Sequence, residues 1–312
     1  MRRFLLAAAL FTATALQAQT WTAPATWAKS LTPVDNANQL ADTHTTVAAD
    51  GAVFTTGTYN QNITFGGKTI TNDDKITSAY VAKYNADGSE AWLAATLGLS
   101  YIRTLDTDAD GNVYIAGVLA DQVTFYSADN NNQVVNGTAG VTVPVNTFVA
   151  KYDNNGNLKA VRLITSAANP AIAASGIYFP EAGDVRIYPE KLMVSGGKVY
   201  LSATYTGDVN FDNVQWAGRY LDVFSFMYSD VPGVGILSLD AANLTNGTSV
   251  ANLIMKDNKS SVQQNPESVS FTVDGNTVYA GFVGKGVETL TTANATTDLT
   301  MQLSTDESGN VE

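Results

Sequence analysis

The feature that most constrains this chain is an internal repeat. Thr46 to Gly51, Thr104 to Gly111, Leu192 to Gly197 and Ser270 to Gly275 each read as a short strand running into a tight turn. Each is followed by a second strand: Val53 to Gly57, Val113 to Gly117, Val199 to Ser202 and Val278 to Gly281. An aromatic recurs there at Phe54, Tyr114, Tyr200 and Tyr279, at spacings of 60, 86 and 79 residues. Uneven spacing of a constant element means a fixed core with variable connections. Third strands read at Tyr80 to Tyr84, Phe148 to Tyr152, Gly235 to Leu239 and Leu299 to Leu303. Turn residues follow three of these, as in Asn85 to Gly88, Asp153 to Gly156 and Asp306 to Gly309. Asn, Asp and Gly tolerate positive φ and suit hairpins. Fourth strands read at Ala91 to Ala95, Ala160 to Ile164 and Val250 to Ile254. Helical periodicity is nearly absent, so the expected class is all-β. Four-stranded antiparallel blades, repeated at least four times, describe a β-propeller.

The residues also resemble a known group. The order x-D-G-N-V-Y-x-x-G, V-x-F, F-V-A-K-Y-D-x-x-G-N-L and W-A-x-x-L is similar to the β-propeller repeats of secreted bacterial surface proteins. Asp110 to Gly117, Val123 to Phe125 and Phe148 to Leu158 match almost continuously, and Ile63 to Phe65 and Val209 to Phe211 repeat the V-x-F element. The third repeat departs from the pattern, with Ser238-Leu239 where Lys-Tyr is usual, and the fourth is weaker still. The resemblance covers about residues 26 to 310 and implies fold and export, but no ligand.

The first 18 residues read as a signal peptide. Arg2-Arg3 is followed by an apolar run from Phe4 to Leu16, too short to span a bilayer, and by small Ala18 at a plausible cleavage site. Export to the periplasm, cell surface or medium is expected, without membrane insertion. Residues 19 to 312 are read as one propeller domain, with repeats at about 43–97, 102–164, 191–254 and 268–312. Residues 26 to 31, around Trp27, read as a lone fourth strand. Pairing with the strand at Leu299 to Leu303 would complete the last repeat and close a four-bladed ring. The rival reading is a chain whose further blades are missing.

Composition excludes several functions. The net charge is −12, without a basic stripe, which repels phosphate and excludes nucleic acid as the expected partner. There is no Cys and a single His, His44, so thiol catalysis and Cys/His zinc sites are excluded. No cofactor is called for. Asp106 to Gly111 opens like a calcium loop, but its twelfth position is Gly117 and a strand follows, so a hairpin turn is expected and no metal. Gly66 to Thr69 lacks the first glycine and the helix of a phosphate loop. His44 reads as a surface or strand-end residue, with no catalytic partner in view.

No catalytic residue is assigned. Asp73, Asp74, Glu181, Asp184, Glu190, Asp222, Asp230 and Glu267 are read as loop acids, two of which could meet as a glycosidase pair. A better lead is the aromatic and arginine set Tyr178, Phe179, Arg186, Tyr188, Trp216, Arg219 and Tyr220 in long connections. Such residues recur in sugar and protein recognition. The long connections emerge at one end of the blades and the tight turns at the other, so ligand is expected at the long-connection end. The expected function is a non-catalytic binding or adhesion propeller engaging glycan or protein. A carbohydrate-active enzyme and a structural module of a larger surface assembly are the alternatives.

Overall fold

Alternating apolar runs separated by Asp, Asn and Gly leave the backbone little choice but short strands joined by hairpins. The computed structural model describes residues 41–139, 141–168, 185–222, 228–255, 266–284, 286–292 and 296–301. Among them are 25 strands and no helix.

The first repeat forms β1 (Ala41–Val47), β2 (Val53–Tyr59), β3 (Ile63–Phe65), β4 (Lys68–Ile70), β5 (Ser78–Tyr84) and β6 (Glu90–Leu97). The second forms β7 (Ser100–Thr107), β8 (Val113–Leu119), β9 (Gln122–Phe125), β10 (Gln133–Asn136), β11 (Asn146–Tyr152) and β12 (Leu158–Ile164). After β13 (Ser166–Ala167), the third forms β14 (Ile187–Ser195), β15 (Lys198–Tyr205), β16 (Asp208–Phe211), β17 (Val214–Trp216), β18 (Arg219–Asp222), β19 (Tyr228–Val231), β20 (Gly233–Asp240) and β21 (Thr248–Met255). The last described strands are β22 (Pro266–Asp274), β23 (Thr277–Gly284), β24 (Gly286–Thr292) and β25 (Thr296–Met301).

In each of the first three repeats, four strands run in an antiparallel meander: β1-β2-β5-β6, β7-β8-β11-β12 and β14-β15-β20-β21. The architecture is all-β and antiparallel, consistent with a β-propeller. The expected second, third and fourth strands of these repeats all fall in the meanders. The middle strands β5 and β8 are buried along their whole length, as strands covered on both faces must be.

Two tight turns of the second repeat share one design. In Asp108-Ala109-Asp110-Gly111-Asn112, Asp108 Oδ1 accepts the backbone N–H groups of Asp110 and Asn112 at 3.0 and 2.9 Å. Its Oδ2 accepts Asn112 Nδ2 at 2.8 Å and the Tyr114 hydroxyl at 2.9 Å. Asp153 repeats this for Asn155, Asn157 and the Asn157 amide, at 2.9, 2.9 and 3.0 Å. Gly111 and Gly156 take φ of 75° and 83°, the left-handed values these turns require. The Asp106–Gly111 segment is therefore the end of β7 and a hairpin turn, in which the Asp106 and Asp108 carboxylates accept N–H and O–H donors.

The repeats are tied to one another by the signature residues. Lys83 and Lys151 sit opposite Phe54 and Tyr114 in the ladder, with Nζ 5.5 and 5.3 Å from the ring centres. Lys151 reaches on to the Ala241 carbonyl of the next repeat at 2.9 Å, and Lys83 to Asn154 in the same way. Trp92 adds an indole N–H bond to the Asn154 carbonyl at 3.0 Å. The first strands are stitched side by side: Leu192 N–H donates to Thr104 Oγ1 at 3.0 Å, and Val194 N–H to Asp106 Oδ2 at 2.8 Å.

Two expectations are corrected. The first concerns the long connections between second and third strands, to which the sequence assigns no regular structure: each described one carries a short hairpin. These hairpins bury the V-x-F residues: Ile63 and Phe65, Val123 and Phe125, Val209 and Phe211. In two repeats they dock on the preceding one, β9 on β6 and β16 on β13. The second correction concerns Leu299 to Leu303, read as a third strand. Leu299 lies in β25, which pairs with β24, and β24 pairs with β21 of the third repeat. That segment is thus the docking hairpin of the fourth repeat, because Leu290 faces Leu253 across the ladder and packs on the apolar cluster around it. Trp27, its expected partner, and residues 1–18 lie outside the described residues, as does Asp306 to Gly309.

Candidate binding site

The strand ladder is interrupted at one place in every first strand. Between Ile102 and Thr104, β7 gains a residue relative to β8, which leaves Arg103 unpaired in the register. In β14 the extra residue is Glu190, and in β22 it is Glu267. In β1 the shift falls between Ala41 and His44. An extra residue bends the strand and re-aims a side chain, a device common at sheet ends and beside functional sites.

A cavity of about 550 Å³ opens beside these shifts. Its lining comes from three repeats: His44 on β1; Tyr101, Ile102 and Arg103 on β7; Val118 on β8; Pro144 in the connection to β11; and Tyr188 on β14. These lie at the starts of first strands and the end of a second strand, which is the end where the long connections emerge. Its volume is within the range of small-molecule sites.

The walls are held by backbone bonds. Tyr188 Oη donates to the Pro144 carbonyl at 2.9 Å, Ile187 N–H to the Val145 carbonyl at 3.0 Å, and Thr147 Oγ1 to the Ile187 carbonyl at 2.7 Å. Arg103 Nε donates to the Pro189 carbonyl at 3.2 Å. The Arg186 guanidinium lies 5.5 Å from the centre of the Tyr188 ring. Ile102 and Val118 are buried, Tyr101 and Tyr188 half-buried, and His44 and Arg103 exposed. No carboxylate lines the cavity among the described residues. Glu190 lies nearby: burial pushes its carboxyl up, opposed by a bond from the Val269 backbone and by the Arg103 charge.

The structure separates the residues singled out in the sequence. Tyr188 lines the cavity and exposed Arg186 backs it. Trp216 is corrected to a core residue: it is 2% exposed, stacks on Tyr205 at 5.2 Å, and donates its indole N–H to Ser249 Oγ at 2.8 Å. Burial against Gly235, where a Cβ would stand 2.6 Å from the indole, leaves it no ligand-facing surface. Arg219 and Tyr220 belong to the β18–β19 hairpin, opposite Val231 and Asp230. Tyr178 and Phe179 lie outside the described residues, as do Glu181 and Asp184. Of the expected loop acids, Glu190, Asp222, Asp230 and Glu267 lie in strands instead. Asp73 and Asp74 are exposed in a turn. Gly66-Gly67 makes the turn between β3 and β4, and its Gly66 N–H binds Glu90 Oε2 at 2.7 Å.

Sequence reasoning missed Tyr101, Ile102, Arg103, Val118 and Pro144, and read His44 as isolated. The available signal was a charged residue inside three of the first strands: Arg103, Glu190 and Glu267.

No family model matches the chain. Over 126 residues it is 29% identical to an uncharacterised WD repeat-containing protein of Acanthamoeba polyphaga mimivirus. That stretch is 39% of this chain and 9% of the relative, so the chain spans a small part of the relative's length. The likeness and the repeated meanders together are consistent with a repeat, propeller-like architecture.

Proposed function

We propose that the chain is an exported, non-catalytic binding module, its meanders the blades of a β-propeller, which engages glycan or protein through the long-connection end. The observation that carries this is the contrast between the two ends. At one end, the turn aspartates and lysines are consumed by bonds within and between repeats. At the other, a cavity with the anchored Tyr188, Tyr101 and an arginine is built across three repeats. A rigid scaffold needs neither the cavity nor the length of the connections around it. The relative's repeat architecture fits a propeller reading. A non-catalytic role is favoured over glycoside hydrolysis because that chemistry takes two carboxylates across the scissile bond, and the described cavity lining has none. Export rests on the Arg2-Arg3, apolar-run and Ala18 order at the N-terminus.

The test is hydrogen exchange with a bound glycan or protein partner. Protection is expected in residues 101–103, 118–119 and 187–190. Tyr101→Ala with Tyr188→Ala should abolish binding, while Asn155→Ala in a tight turn should spare it. Protection confined to the tight-turn end overturns the reading.

A further inference from the structure

We propose that the cavity takes an acidic saccharide, a pyranose carrying a carboxylate such as a uronate. This rests on the long-connection end being the binding end, and names the ligand class of that site.

The first argument is charge. The chain carries a net −12, yet the described cavity lining holds the cation Arg103 and no acid, the half-buried Glu190 lying close enough for the Arg103 charge to act on its carboxyl. Arg103 donates one N–H, from Nε, to the Pro189 carbonyl, which fixes the plane of the guanidinium. Its Nη groups make no ion pair within 4.0 Å among the described residues. A planar fork with one edge anchored is preorganised for a carboxylate. The extra residue in the β7 register is Arg103 itself, so the ladder irregularity directs this charge and no other in the repeat.

The second argument is shape. Tyr101 and Tyr188 come from neighbouring first strands, and Tyr188 is pinned through its hydroxyl to Pro144. Half-buried rings present an apolar face with a polar edge, which matches the C–H face and hydroxyl rim of a sugar. The cavity, about 550 Å³, is half open to solvent and takes its lining from three repeats, not from a single strand edge. An extended acidic peptide would instead use such an edge or a continuous groove.

The experiment titrates the full chain calorimetrically with trigalacturonate, neutral galactotriose and hexaglutamate. Trigalacturonate should bind at least tenfold tighter than the neutral sugar, about 1.4 kcal/mol, and added salt should narrow the gap. Arg103→Gln should remove that preference, so that the variant binds trigalacturonate no tighter than galactotriose; Arg103→Lys should keep part of it. Tyr101→Ala should weaken both sugars, and melting temperatures of the variants check that each is folded. Equal affinity for the two sugars at this cavity overturns the acidic class while the binding end stands. Hexaglutamate binding as tight as trigalacturonate overturns the saccharide class. No trigalacturonate binding at millimolar concentration overturns the proposal outright. Trigalacturonate that protects the tight-turn end overturns the binding end as well.

Discussion

Asp153 shows how one side chain sets a turn. Burial raises its carboxyl, but Lys159 at 2.9 Å and the Asn157 and Asn155 donors outweigh it, and it falls from 3.8 to about 2. A depressed carboxyl stabilises the fold above its unfolded value, and the contribution is lost as pH falls through about 2. Solvent around the group limits this to ~1 kcal/mol. Asp153→Asn should therefore lower the melting temperature at neutral pH and flatten its decline below about pH 4. Melting curves of both proteins between neutral and strongly acid pH check this; parallel curves would count against it. Lys151 acts across repeats, over the Tyr114 ring and onto the Ala241 carbonyl. Lys151→Met keeps the stem but removes the ammonium from the Ala241 and Ala242 carbonyls, leaving Ala241 the Tyr114 hydroxyl at 3.0 Å, and should cost about 1 kcal/mol in urea unfolding. The change should hardly affect ligand affinity, since Lys151 lies away from the cavity.

The elements with the least obvious role are the short hairpins between second and third strands. Phe125 on β9 is fully buried and meets Phe148 edge-on at 5.0 Å, while Thr96 and Leu97 of β6 pair with Phe125 and Thr124. The hairpin thus extends the sheet of one repeat with residues of the next. Phe125→Ala should destabilise by about 3–4 kcal/mol, as deletion of a buried ring does. On the same hairpin, Val134 is 55% exposed, and Val134→Thr should change stability by no more than ~0.5 kcal/mol. Denaturant midpoints of the two variants check the contrast. A small loss for Phe125→Ala would mean that the hairpin is ornamental.

Across the whole molecule, protection should be uneven. Strands β8 and β15 are paired on both sides, whereas among the described residues β23 pairs with β22 alone. The second-strand aromatic follows suit: Phe54 and Tyr114 are fully buried and Tyr200 nearly so, but Tyr279 is 58% exposed. Amides of β8 and β15 should exchange slowest and those of β23 measurably faster, since local opening tracks packing and pairing. Equal protection in β8 and β23 would contradict this. The cavity lies among β1, β7, β8 and β14, where the first strands are stitched together, so ligand should slow exchange there more than in β23.

Strand identity and turn chemistry were legible locally. Alternation at Val113 to Gly117 and Phe148 to Tyr152, and Asp-Gly-Asn at Asp110 to Asn112, specify strands and hairpins through interactions within a few residues. The same logic exposed the V-x-F element but not its partner, because period-2 alternation names the buried face and is silent about which edge is paired. For that reason Leu299 read equally well as a third strand and as the hairpin strand it is. Trp216 failed as a site residue because an aromatic in a long connection looks alike whether it stacks on Tyr205 or faces solvent. His44, the Tyr101 and Arg103 pair, and Tyr188 are far apart in sequence, and each is unremarkable alone. An extra residue in a strand leaves no mark in an apolar pattern, and a cavity exists only once three repeats stand side by side. The chain's local sequence therefore determined its elements, while long-range packing decided which edges meet and which side chains share a site.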